Sequence, residues 1–106
     1  MSWASRAKEA LRRGETVVVR PRGHSMKPKV HDGARVTLQP CDAVTLDAAP
    51  LQVGDIVLVR VSGNDYLHLI KAIDGPRYQI GNNRGGINGW VGVGAINGRA
   101  THVVPP

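Results

Sequence analysis

The sequence predicts a mainly β fold, barrel-like or sandwich, preceded by one short helix. Short β-branched runs recur along the chain, at 16–20, 55–61 and 66–73. Clusters of Gly, Asn, Asp and Pro separate them, as turns separate strands. The stretch 81–98 is too dense in glycine to be helical. A length of 106 residues fits one small domain, 1–106, with 1–14 as the helix and 15–104 as the β core. The chain has no Phe, two Trp and two Tyr, so the core is built from Val, Ile, Leu and Ala, a mix that suits strands.

Ser2 can cap a helix running to about Arg13, with Gly14 as its stop. Trp3, Ala7 and Leu11 fall at spacings of four and share its apolar face. Residues 16–20 read as a strand ended by Pro21, and 22–29 as a Gly- and Pro-marked connection. A second strand is expected over 34–39. Residues 40–50 show no strong period and read as an irregular excursion. The run 55–61, DIVLVRV, is a strong strand, and Ser62-Gly63-Asn64-Asp65 is a hairpin signal. The return strand spans 66–73. A turn at Asp74-Gly75-Pro76 leads to short strands over 77–80, near 90–93 and over 99–104.

The net charge of +6 is compatible with a nucleic-acid partner. The basic residues are scattered, however, apart from a loose group at Arg6, Lys8, Arg12, Arg13, Arg20 and Arg22, and aromatics for base stacking are few. No window approaches the roughly 18 consecutive apolar residues of a membrane span, and 1–14 is broken by charges where a secretory signal is apolar. A membrane span is therefore not expected, and a cytoplasmic location is. Cys41, the lone cysteine, leaves no internal disulfide. Nothing in the sequence fixes an oligomeric state.

Two segments carry candidate chemistry. In Gly23-His24-Ser25-Met26-Lys27-Pro28, Ser25 sits between residues that break regular structure. A serine so placed can project from a turn with its backbone N–H free to stabilise an oxyanion. In the strand 66–73, side chains alternate between faces. Leu67, Leu69, Lys71 and Ile73 share one face; Tyr66, His68, Ile70 and Ala72 share the other. Lys71 thus lies among aliphatic residues, where desolvation favours the neutral amine. Such an amine can take a proton from a serine hydroxyl.

Taken in order, GHSMKP, VGDIVLVRV and LHLIKAI resemble the type I signal peptidases and the self-cleaving LexA-like and phage repressors. Gly23, Ser25, Met26 and Pro28 fill the nucleophile motif, Gly54 and Asp55 the Gly-Asp motif, and Lys71 the place of the general base. Gly81-Asn82-Asn83-Arg84, with the later Gly98-Arg99, is similar to the signal-peptidase Gly-Asp-Asn-Arg box and its closing glycine. The resemblance spans about 17–103. It implies a coiled, barrel-like β fold and hydrolysis of a peptide bond by a Ser25/Lys71 dyad, without a cofactor or metal. Gly23, His24, Met26 and Pro28, which flank the nucleophile, are then expected to serve oxyanion and substrate binding. A peptide or protein substrate is expected to lie extended beside a strand.

Departures from that pattern are specific. Gly23 stands where many signal peptidases carry a serine that supplies a second oxyanion donor. The serine and aspartates that follow their box are replaced by Gly85, Gly86, Ile87 and Asn88, and Ala72 follows Lys71 where arginine is usual. Neither Ala-Gly nor Cys-Gly occurs ahead of Ser25, so cleavage in trans is expected rather than self-cleavage; the alternatives are a domain of the same fold without catalysis, used for binding or self-association, and a small basic β-barrel that binds nucleic acid. His24, His31, His68 and His102 lack the spacing of metal ligands. His24 adjoins Ser25 but adjacent side chains rarely converge, and His68 reads as a histidine packed on the face opposite Lys71. Asp32 and Asp55 read as turn residues.

Overall fold

A computed structural model describes residues 2–106. Helix α1, Trp3–Arg12, begins where the Ser2 hydroxyl accepts the Ser5 N–H, and it buries Ala4, Ala7 and Leu11. Trp3 departs from the expected face: it is 45% exposed. Gly14 turns the chain out of the helix at φ +80°.

Among the described residues seven strands follow: β1 (Val17–Val19), β2 (Arg35–Pro40), β3 (Ile56–Val61), β4 (Asn64–Asp74), β5 (Arg77–Gly81), β6 (Ile87–Gly92) and β7 (Ile96–Val104). They form one sheet in the order β1-β2-β7-β3-β4-β5-β6, and every neighbouring pair is antiparallel. The sheet curls into a half-barrel. Its curl brings β6 back over the end of β3, so that a Cβ on Gly89 would lie 3.6 Å from Val61 Cγ1.

The segment 40–50 is not irregular throughout. It contains a short helix, α2, Ala43–Ala48, started by a capping box in which Asp42 and Thr45 each bond the other's backbone N–H. The three-residue spacing from Asp42 to Thr45 was the available signal; six residues are too few for a periodic one.

Two apolar clusters sandwich the middle of the sheet. One gathers Ala4, Ala7 and Leu11 of α1 with Val36, Leu38, Leu58, Leu67 and Leu69, and takes in Met26 and Val30. The other holds Val57, Val59, Val61, Ile70, Ile80 and Ile96. Strand β3 therefore buries both faces, which is why its sequence is a continuous apolar run rather than an alternating one. The Gly54-Asp55 motif fixes where it starts. The Gly54 N–H donates to Ile70 O at 2.8 Å, and the Ile70 N–H donates to Asp55 O at 2.9 Å. The Asp55 carboxylate accepts the Gln52 N–H and faces the buried Arg99 guanidinium at 3.6 Å.

Two features of β4 shape the site. It pairs with β3 through 64–69 but with β5 only from Leu69 onward, so 64–68 keeps one free edge. The register against β5 also shifts between Ile70 and Ala72, which makes Lys71 the bulged residue. Among the described residues no helix is long and apolar enough to cross a membrane.

Candidate active site

The chain between β1 and β2 lines a cleft together with that free edge. Met26 and Val30 anchor it by burial in the first cluster, and the Val30 N–H donates to Met26 O at 2.9 Å. Gly23 adopts φ +104°, a conformation L side chains rarely enter, and its N–H donates to Asp32 Oδ1 at 2.7 Å. Asp32 thus acts as a turn residue. Between these tethers Ser25 is exposed. Its backbone N–H makes no backbone hydrogen bond among the described residues.

The Ser25 hydroxyl lies 3.4 Å from Nε2 of His68. On the other side of the ring, His68 Nδ1 lies 2.7 Å from Asn88 Oδ1 on β6. With an amide oxygen facing it, Nδ1 carries the ring proton and donates. Nε2 is then left with its lone pair toward Ser25. Tyr66 stacks on the imidazole with centroids 4.7 Å apart. The ring is buried, at 7% exposure. Burial lowers the His68 pKa, with the Asn88 hydrogen bond opposing it more weakly, so the ring is neutral near pH 7. A neutral imidazole between a hydroxyl and an orienting amide can act as a general base. A distance of 3.4 Å is at the loose end for this role, as is common before substrate binds.

Lys71, the expected partner of Ser25, is engaged elsewhere. Its amine donates to the Asn82 carbonyl at 3.0 Å, and it shares no hydrogen bond with Ser25 among the described residues. Its influence on the site is indirect. Asn82 Oδ1 accepts the N–H groups of Arg84 and Gly86 at 2.8 and 2.9 Å, which folds 82–86 into a tight loop. That loop grips the nucleophile segment by its carbonyls. The Asn83 N–H donates to Ser25 O at 2.9 Å, Asn83 Nδ2 to Lys27 O at 2.9 Å, and Arg84 Nη1 reaches His24 O at 3.5 Å.

Of the other expected site residues, Gly23 shapes the turn, Met26 is a buried anchor, and His24 and Pro28 are exposed. His24 makes its contacts through its carbonyl. His68 and Asn88 are the residues that sequence reasoning passed over as a pair. Histidine between two leucines on a strand was the one signal for the first; nothing local marked the second.

Ser25 and His68 lie in a cleft of about 370 Å³ whose walls include Trp3, Arg20, Arg22 and Tyr66. Cys41 lines a different cleft, and burial pushes its thiol up to about 11, so it is not a competing nucleophile. Among the described residues no group of three His, Cys, Asp or Glu side chains converges as metal ligands would. No protein-family model matches the chain, and neither does any curated protein.

Proposed function

We propose that this chain is a serine endopeptidase that cleaves a peptide or protein in trans, with Ser25 as nucleophile and His68 as general base. The observation that carries the reading is the Ser25–His68–Asn88 line, in which each heteroatom faces a complementary partner. The ordered motifs around Ser25 and the curled β sheet support the same class, and we read the fold as a small relative of the signal-peptidase and LexA-type domains. The base moves from Lys71 to His68 because the lysine amine is engaged with a carbonyl.

In this mechanism His68 Nε2 takes the Ser25 hydroxyl proton as Oγ bonds to the scissile carbonyl carbon. The Ser25 N–H is free to donate to the resulting oxyanion, an interaction whose loss typically costs ~3 kcal/mol. The imidazolium then gives its proton to the leaving amine as the C–N bond breaks. Water, deprotonated by the same Nε2, attacks the acyl-serine ester and releases the carboxylic acid. Asn88 keeps the ring in the correct tautomer throughout but adds no negative charge.

The free edge of β4 at 64–68 favours a peptide over a small ester. An extended chain laid between that edge and 20–23 can pair with unpaired backbone groups and bring a carbonyl to Ser25. The test is a peptide-library cleavage assay on the parent, Ser25→Ala and His68→Ala. Loss of cleavage in both variants supports the reading, and undiminished cleavage in both overturns it.

A further inference from the structure

The cleft beside Ser25 is cationic in a specific way. Arg20 and Arg22 both line it, both are exposed, and neither forms an ion pair among the described residues. Pro21 separates them, so the two arginines stand two residues apart on one wall of the cleft. Asp65, the one acidic residue in the cleft wall, does not neutralise them. Its carboxylate is held by Lys8 at 3.0 and 3.2 Å and by Arg60 at 3.4 Å. Trp3 and Tyr66 add aromatic surface to the same walls.

We infer that the cleft selects peptides carrying acidic side chains at alternate positions, Glu-x-Glu or Asp-x-Asp, close to the bond presented to Ser25. In an extended peptide, residues two apart project on the same side about 6.6 Å from each other, and Arg20 and Arg22, which line the same cleft, are likewise two apart in the chain. A guanidinium also matches a carboxylate in fork geometry better than a lysine would. The inference rests on the peptidase reading for its choice of a peptide as ligand.

Binding separates the two ideas, because it needs no turnover. Fluorescence polarisation of labelled peptides on full-length Ser25→Ala compares a Glu-x-Glu peptide with its Gln-x-Gln and Lys-x-Lys counterparts. The acidic peptide is expected to bind on the order of three- to tenfold more tightly than the Gln peptide, the yield of two solvent-facing ion pairs. That margin should vanish near 1 M salt, where the screening length falls to about 3 Å, and in Arg20→Gln/Arg22→Gln. Arg20→Glu/Arg22→Glu should reverse the order in favour of the Lys peptide. Equal binding of the Glu and Gln peptides, or a margin that survives the double Gln variant, overturns the inference. So does a single-stranded oligonucleotide of equal charge that displaces the acidic peptide more effectively than unlabelled peptide does, since the site would then be a phosphate-backbone groove. Cleavage of peptides without regard to charge would leave the peptidase standing and remove only the acidic preference.

Discussion

Asn88 on β6 and His68 on β4 meet through Oδ1 and Nδ1 at 2.7 Å, although β5 lies between their strands. The curl of the sheet makes the contact possible, and the contact in turn fixes the ring that faces Ser25. Because the partner is an amide and not a carboxylate, burial dominates the His68 pKa and lowers it.

The first prediction follows from that sign. The base must be neutral, so kcat/KM falls as pH drops through the His68 pKa, and the midpoint of the acid limb lies below the ordinary histidine value of 6.5. Asn88→Asp places a carboxylate at the ring and favours the imidazolium, which moves the limb to higher pH. A pH–rate profile of both proteins checks this. A limb that stays put in Asn88→Asp means that His68 is not the titrating base.

The second prediction separates the two candidate bases. His68→Ala is expected to lose roughly 10²- to 10⁴-fold in kcat, the usual contribution of a general base. Lys71→Met removes only the bond that steadies Asn82 and the loop gripping Ser25. It is expected to lose less than His68→Ala, no more than the roughly 10²-fold of a ~1 Å misplacement, with its pH limb unmoved. Side-by-side kcat and KM values on one peptide decide the matter, and the reverse ranking would return the proton transfer to Lys71.

How much of this was legible in the sequence depends on the range of the interaction. The α1 cap at Ser2, the β3–β4 hairpin and the apolar run of β3 are set within a few residues, and each is visible in the string. Face alternation along β4 was also readable as far as Ile70: Leu67 and Leu69 lie in one cluster, Ile70 in the other. At Lys71 the pairing against β5 slips by one residue, and nothing in the local sequence marks that bulge. Ser25 was visible through its turn chemistry. Its partner was not, since His68 is 43 residues away and Asn88 a further 20. The loop between β1 and β2 carries Ser25 to the ring, and Asn88 reaches it from a strand two places away in the sheet.

A third prediction concerns Gly81. A Cβ there would collide with the Gly86 carbonyl oxygen and lie 3.0 Å from Lys71 Cγ and 3.1 Å from Ile87 Cδ1. The loop 82–86 closes over this bare backbone, so Gly81→Ala is expected to cost about 1–3 kcal/mol. The displaced loop also carries Asn83, which holds Ser25 and Lys27 by their carbonyls. Denaturant midpoints report the stability loss, and cleavage measured well below the new midpoint should fall further than the unfolded fraction explains. Parent-like values for both would mean that the loop moves aside without consequence for the nucleophile.

The fourth prediction lies away from the site. The β3–β4 turn places Ser62 at φ +50° and Gly63 at φ +82°, and Ser62 is the one non-glycine residue with positive φ among the described residues. Two positive φ angles in a two-residue loop define the mirror-image turn that suits the right-handed twist of a hairpin, for which Asn-Gly is the favoured pair. Serine enters the left-handed region at a cost that asparagine largely avoids. Ser62 is exposed, so exchanging it disturbs no packing. Ser62→Asn is therefore expected to stabilise the fold by about 0.5 kcal/mol, seen as a rise in Tm of roughly 2–4 °C with peptide cleavage unchanged. Ser62→Val, whose branched side chain resists positive φ, should lower Tm by more than that. If both variants melt with the parent, the turn relaxes to another geometry in solution and the register of β3 against β4 is held by its side chains alone.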